Sequence, residues 1–193
     1  AELTAKPIAV GASLGGIASL TAQHLKPDLL KALILVDITP NIQASGLERI
    51  RNFMQEKMET GFASLEEAAE YVQAYTPERS RSIDPESLKK NLRLKEDGRW
   101  RWHWDPKFLD QRGVDKPVIN VGFMEEAVRG LTLPTLLVRG KMSDLITEES
   151  AQQFLVMCPH AQYADIKDAG HMVAGDQNDV FSQAVIGFVE SLK

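Results

Sequence analysis

Gly11-Ala12-Ser13-Leu14-Gly15-Gly16 joins two segments of opposite periodicity and leaves the backbone few ways to fold. Ahead of it, Pro7 to Val10 is short, apolar and closed by Gly11, as a buried strand is. Behind it, apolar residues recur at helical spacing from Leu14 to Leu25, and Pro27 stops the run. Ala32 to Val36 is again continuously apolar, closed by Asp37 and Pro40. A strand–helix–strand unit of this kind crosses over right-handed and pairs its strands in parallel.

The turn at Ser13 crowds the residues two before and two after it, so Gly11 and Gly15 are both expected to have to be free of side chains. Ser13 also falls at a helix N-terminus, where unpaired N–H groups and the macrodipole favour a developing negative charge. The N–H of Leu14 is the expected donor to an oxyanion. Two other glycine-rich loops fit poorly. A dinucleotide loop would have its second glycine where Ser13 stands, and a phosphate-binding P-loop needs a lysine that is not there. Ser13 therefore reads as a nucleophile, which in turn needs a base.

Of the four histidines, His24 lies inside the first helix, His160 follows Pro159 in a turn, and His103 stands among tryptophans. His171, in Asp168-Ala169-Gly170-His171, follows the last predicted strand at its carboxyl end, the edge where open parallel sheets gather catalytic groups. A carboxylate must then hold the imidazole tautomer. Asp144, in Gly140-Lys141-Met142-Ser143-Asp144, follows a strand at the same edge and is the favoured acid. Asp37 also ends a strand and is its rival, read first as a cap for the segment behind it. The order Ser13, Asp144, His171 is the order in which a strand–turn–helix serine finds its partners.

The remainder supplies context. Thr135–Val138 and Ala161–Ile166 read as strands, with helices from Thr147 to Cys158 and from Asp179 to Leu192. Residues 41–130 have another texture: Leu47, Ile50, Met54 and Met58 share a helical face, Ser64 and Glu67 form a capping box, and Asp84-Pro85 is a third helix-start signal. Asp97-Gly98 then turns a small hairpin in which Trp100, Trp102 and Trp104 alternate with Arg99, Arg101 and His103. The tryptophans read first as a ring cluster holding a small subdomain together, and a pocket role is the alternative. A net charge of -5 with scattered basic residues argues against nucleic-acid or anionic-membrane partners. The single Cys158 allows no internal disulfide and suits the cytoplasm. Ala1 to Lys6 is too short and polar for a signal peptide, and no apolar run reaches membrane-spanning length. No metal-ligand spacing occurs, so neither metal nor cofactor is expected.

Val10 to Gly16, Leu35-Val36-Asp37, Pro134 to Asp144 and Gly170-His171-Met172 resemble the α/β-hydrolase superfamily, and within it the small lipase-, epoxide-hydrolase- and haloperoxidase-like members. The resemblance covers both flanks, about half the chain. It implies an α/β fold: a partial core of parallel strands and flanking helices from residues 1–40 and 131–193, with a mostly helical cap, 41–130, inserted over the active site. Trp100, Trp102 and Phe123 are then the candidate substrate contacts. Epoxide hydrolases and dehalogenases of that superfamily carry an aspartate at the nucleophile position, so Ser13 points instead to hydrolysis of a small carboxylic ester. Other triad chemistries, namely C–C hydrolysis, perhydrolysis and acyl transfer, share the same residues. Only twelve residues precede Ser13, whereas the superfamily has several strands there and a loop, marked by a His-Gly pair absent here, that gives a second oxyanion donor. The first strand is therefore expected to be an open edge that takes a companion N-terminal fragment or a second copy of the chain. An oligomerising scaffold with little turnover is the competing reading.

Overall fold

The computed structural model describes residues 4–77, 82–109 and 120–192; the first half of the Ala1–Lys6 stretch and part of the 41–130 insertion lie outside them. In chain order the elements are β1 (Ile8–Ala12), α1 (Leu14–Leu25), β2 (Ala32–Val36), α2 (Ala44–Glu56), α3 (Leu65–Tyr75), a 3₁₀ turn (Pro85–Lys90), β3 (Leu92–Leu94), β4 (Trp100–Trp102), a second 3₁₀ turn (Pro106–Phe108), α4 (Val121–Arg129), β5 (Thr135–Gly140), α5 (Glu148–Met157), β6 (Gln162–Ile166), α6 (Val173–Asp176) and α7 (Asn178–Glu190). They form two compact units, Ala1–Ala44 with Lys116–Lys193, and Ser45–Asp115.

The first unit holds a parallel sheet in the order β1-β2-β5-β6. β2 and β5 are buried along their whole length, and their side chains alternate between two cores. Leu33, Leu35 and Leu137 pack with Leu20 of α1, Met124 and Val128 of α4 and Phe154 of α5. Ile34, Val36, Leu136 and Val138 pack with Val173 of α6 and Phe188 of α7. Both faces are covered, which is why these strands read as unbroken apolar runs. α4, which the sequence reading puts in the insertion, packs on α1 in this unit. Its apolar period marks it as a helix with a core-facing side but carries no information about which core.

All four carboxyl ends lie along one edge of the sheet, because all pairings are parallel. Among the described residues β1 pairs only with β2. No helix of the described residues is long and apolar enough to cross a membrane.

The second unit is built around Phe62, Leu65, Ala68, Leu88, Leu92 and Trp102. Ser64 Oγ accepts the Glu67 N–H at 3.2 Å, and the Glu67 carboxylate reaches back to the Ala63 N–H at 2.5 Å, one residue ahead of the usual capping-box partner. The Ala63 N–H, and then Lys57, hold the Glu67 carboxyl below its ordinary range. Phe62 exchanges backbone hydrogen bonds of 2.8 and 2.9 Å with Trp100, which docks the β3–β4 hairpin on the unit. Trp102 stacks on Trp104 at 4.6 Å between centroids and meets Phe62 edge-on at 5.4 Å.

Candidate active site

Ser13 stands between β1 and α1 with φ 48° and ψ -119°. A positive φ is rare for a residue with a side chain, and this one forms the sharp pivot that ends the strand and starts the helix. Its N–H donates to the Val36 carbonyl at 3.2 Å, tying the pivot to the residue just before Asp37. Its carbonyl accepts from Gly16 and Ile17 at 2.9 and 3.1 Å. The Leu14 N–H makes no hydrogen bond among the described residues.

The crowding at this turn differs from the sequence expectation. A Cβ on Gly11 would sit 2.5 Å from the Gly15 carbonyl oxygen, and one on Gly16 would sit 2.5 Å from the Ile38 side chain and 2.9 Å from the Gly11 carbonyl oxygen. One on Gly15 would meet nothing within 4 Å. The close approach falls on Gly11 and Gly16, because the backbone at Gly15 lies against Gly11 while its own Cβ direction is open. Gly15→Ala should therefore leave the melting temperature unchanged or raise it, as removing a helical glycine is worth roughly 0.5–1 kcal/mol. Gly11→Ala should cost about 1–3 kcal/mol or more, since only backbone can yield. Equal losses in paired thermal melts would contradict this geometry.

Asp37 is fully buried at the carboxyl end of β2 and also has a positive φ, 49°, which aspartate tolerates better than most residues. Its Oδ1 accepts the Gly140 N–H at 3.0 Å. Its Oδ2 accepts the Ser143 hydroxyl at 2.6 Å and lies 2.7 Å from Nδ1 of His171. These bonds offset the cost of burying the carboxylate. With Nδ1–H donating to Oδ2, Nε2 is the nitrogen left to accept a proton.

Neighbouring loops hold this pair in register. The Met142 N–H donates to Ala169 at 2.8 Å and the Lys141 N–H to Ile166 at 2.9 Å, so the loop after β5 is laced to the loop that carries His171. A Cβ on Gly140 would sit 2.1 Å from the Gly170 carbonyl oxygen, so only glycine permits this approach. Buried Arg139 anchors the far end of the β5 loop: its Nε donates to Ile146 at 2.9 Å, and its guanidinium meets Glu148 at 2.9 Å and Asp165 at 3.0 Å.

The acid beside His171 is thus Asp37, not the Asp144 that the sequence reading favours. β2 lies between β1 and β5, so its end adjoins both Ser13 and the β5 loop. That loop presents Ser143 to the carboxylate, and Asp144 is the next residue along, half-buried. The capping role assigned to Asp37 fails because the next helix begins only at Ala44. A carboxylate directly ending a wholly apolar strand, with no helix close behind, is the signal that could have identified it.

Ser13 Oγ and His171 Nε2 have no hydrogen-bond partner among the described residues, each other included; apo sites commonly leave this contact unformed. Trp100 and Trp102 lie in the second unit, Trp102 within its core at 8% exposure. Phe123 is on α4 in the first unit, edge-on to His24 at 5.0 Å. His160 faces the Leu133 carbonyl at 3.1 Å.

A doubly covered parallel sheet with a positive-φ serine between strand and helix, and a histidine on the loop beyond the last strand, defines the α/β-hydrolase class of fold. Residues 1–184 match the profile of the Alpha/beta hydrolase family, and the chain belongs to that family. It is 27% identical over 174 residues to the 3-hydroxybutyrate-oligomer hydrolase of Cupriavidus necator, a match covering 83% of this chain and 57% of that protein. It is 28% identical over 197 residues to an esterase of Mycobacterium tuberculosis, covering 94% of this chain and 60% of that one. The crystal structure of E-2-(acetamidomethylene)succinate hydrolase shares the fold with a TM-score of 0.79 at 22% identity, over 95% of this chain and 66% of that chain. The chain spans about three-fifths of the length of these curated relatives.

Proposed function

We propose that this chain carries out serine-dependent hydrolysis of a small carboxylic ester, with Ser13 as nucleophile, His171 as base and Asp37 as the acid that orients it. The single observation behind this reading is the 2.7 Å contact between His171 Nδ1 and a buried carboxylate on the strand next to Ser13. Ser13 Oγ attacks the ester carbonyl while Nε2 of His171 takes its proton. The tetrahedral oxyanion accepts from the Leu14 N–H at the start of α1. His171 returns the proton to the departing alcohol, and water, activated by the same nitrogen, then cleaves the acyl-enzyme. An ester substrate is supported by the names of the relatives, one an esterase and one a hydrolase of hydroxybutyrate oligomers.

An alkyl fluorophosphonate tests this directly, because it phosphonylates only an activated serine. One adduct by intact mass, mapped to the peptide containing Ser13, is the expected result. No adduct, or one on a different serine, would overturn the proposal.

A second reading is favoured by one observation: the outer edge of β1 has no strand partner among the described residues, and Val10 on it is 53% exposed. In this reading the edge is covered by a companion segment or by a second copy of the chain. Light scattering that finds only a well-folded monomer across the working concentration range would remove it.

A further inference from the structure

The hairpin of the second unit has a face that the proposed reaction does not use. β3 and β4 pair Leu92 with Trp102, Arg93 with Arg101 and Leu94 with Trp100. Strand alternation therefore turns Leu92 and Trp102 into the core and sets Arg93 directly opposite Arg101 on the other face. Like charges placed this way destabilise a strand pair unless something acidic joins them. Asp97 pairs with Arg101 at 2.7 Å and accounts for only one of them. Among the described residues the Arg93 guanidinium meets only the carbonyls of Lys89, Lys90 and Leu92, and the Lys95 ammonium has no ion-pair partner.

These cations line a cavity of about 370 Å³ together with the apolar residues Met58, Trp104 and Pro106. Arg93, Lys95, Arg101 and His103 supply its polar lining, and no acidic residue among the described ones is part of it. Trp102 and Trp104 are both lining residues, and their indole N–H groups are buried without an acceptor among the described residues. The chain as a whole carries -5, so a cationic lining here is a local departure from the surface around it.

We propose that this cavity binds a small planar organic carboxylate, independently of the Ser13 site. The carboxylate lies against Arg93 and Lys95, because a guanidinium presents a donor fork matched to carboxylate oxygens. The flat apolar part lies against Trp104, Pro106 and Met58, since ring faces favour offset stacking.

All three tryptophans of the chain, Trp100, Trp102 and Trp104, belong to this hairpin segment, so intrinsic tryptophan fluorescence reads it selectively. Benzoate, titrated into the full chain, should change the emission saturably, while benzamide, its uncharged counterpart, should not. Arg93→Gln and Lys95→Gln should each weaken benzoate binding about tenfold, the worth of one charge-assisted hydrogen bond. Ser13→Ala should bind benzoate as the parent does. If Arg93→Gln loses its far-ultraviolet circular dichroism, Lys95→Gln alone decides. The proposal falls if benzoate gives no saturable change, if benzamide matches it, or if the charge variants bind unimpaired. Displacement of benzoate by inorganic phosphate at equal concentration would also end it, since a bare anion patch does not select a planar carboxylate.

Discussion

Asp37→Asn should lower kcat for a chromogenic short-chain ester by about 10⁴-fold, the cost of losing the acid behind a catalytic histidine. Asp144→Asn should stay within a few-fold of the parent. The contrast follows from the hydrogen bonds at Asp37, which are all accepted: from Gly140 N–H, Ser143 Oγ–H and His171 Nδ1. An asparagine presents one acceptor and one donor to a site that offers only donors. The Nδ1–H of His171 then loses its anchor, and the imidazole can turn or take the tautomer that leaves no base facing the serine. Because the site is buried, the clash between donors should also cost about 1–3 kcal/mol of stability. Rates should therefore be normalised to the folded fraction from a denaturant melt. If Asp144→Asn carried the large loss and Asp37→Asn the small one, the acid would revert to the one read from sequence.

Ser13→Ala should remove ester hydrolysis to a larger extent, by about 10⁴–10⁶-fold in kcat, with little change in melting temperature. Ser13 Oγ makes no hydrogen bond among the described residues, so its removal leaves none unpaired, and alanine meets the same strain at φ 48° that serine does. The effect should thus fall almost wholly on chemistry. It also calibrates the oxyanion site, where one missing donor typically costs ~10²–10³ in turnover. A parent that is slow, yet loses what activity it has on Ser13→Ala, would identify a working nucleophile with an incompletely furnished oxyanion site. A variant that keeps a tenth or more of parental activity would move the nucleophile elsewhere.

Both predictions draw on parts of the molecule that are legible in the chain to different degrees. β2 and the hairpin are readable because an unbroken apolar run, an alternation and the turn-forming Asp97-Gly98 pair are local patterns. α1 is readable because Pro27 closes an apolar run of helical period, and α3 and α5 because Ser64 and Thr147 cap their first turns with their own side chains. Ser13 is likewise local, since the strand before it and the helix after it lie within a dozen residues on each side. His171, the proposed base, is read from its place on the loop after the last strand.

The carboxylate that meets His171 is not set locally. Asp37 and Asp144 both lie between Ser13 and His171, so chain order admits either, and each follows a strand. The choice rests on β2 lying between β1 and β5, and on Ser143 rather than Asp144 being the loop residue turned to the buried carboxylate. The same holds for the glycines, where Gly11 and Gly16 are crowded and Gly15 is open, and for α4, which packs on α1 rather than within the insertion. Strand order, Cβ directions across a turn and the partner of a helix face are set by contacts between residues far apart in sequence. Periodicity and caps report only what each segment does with its nearest neighbours.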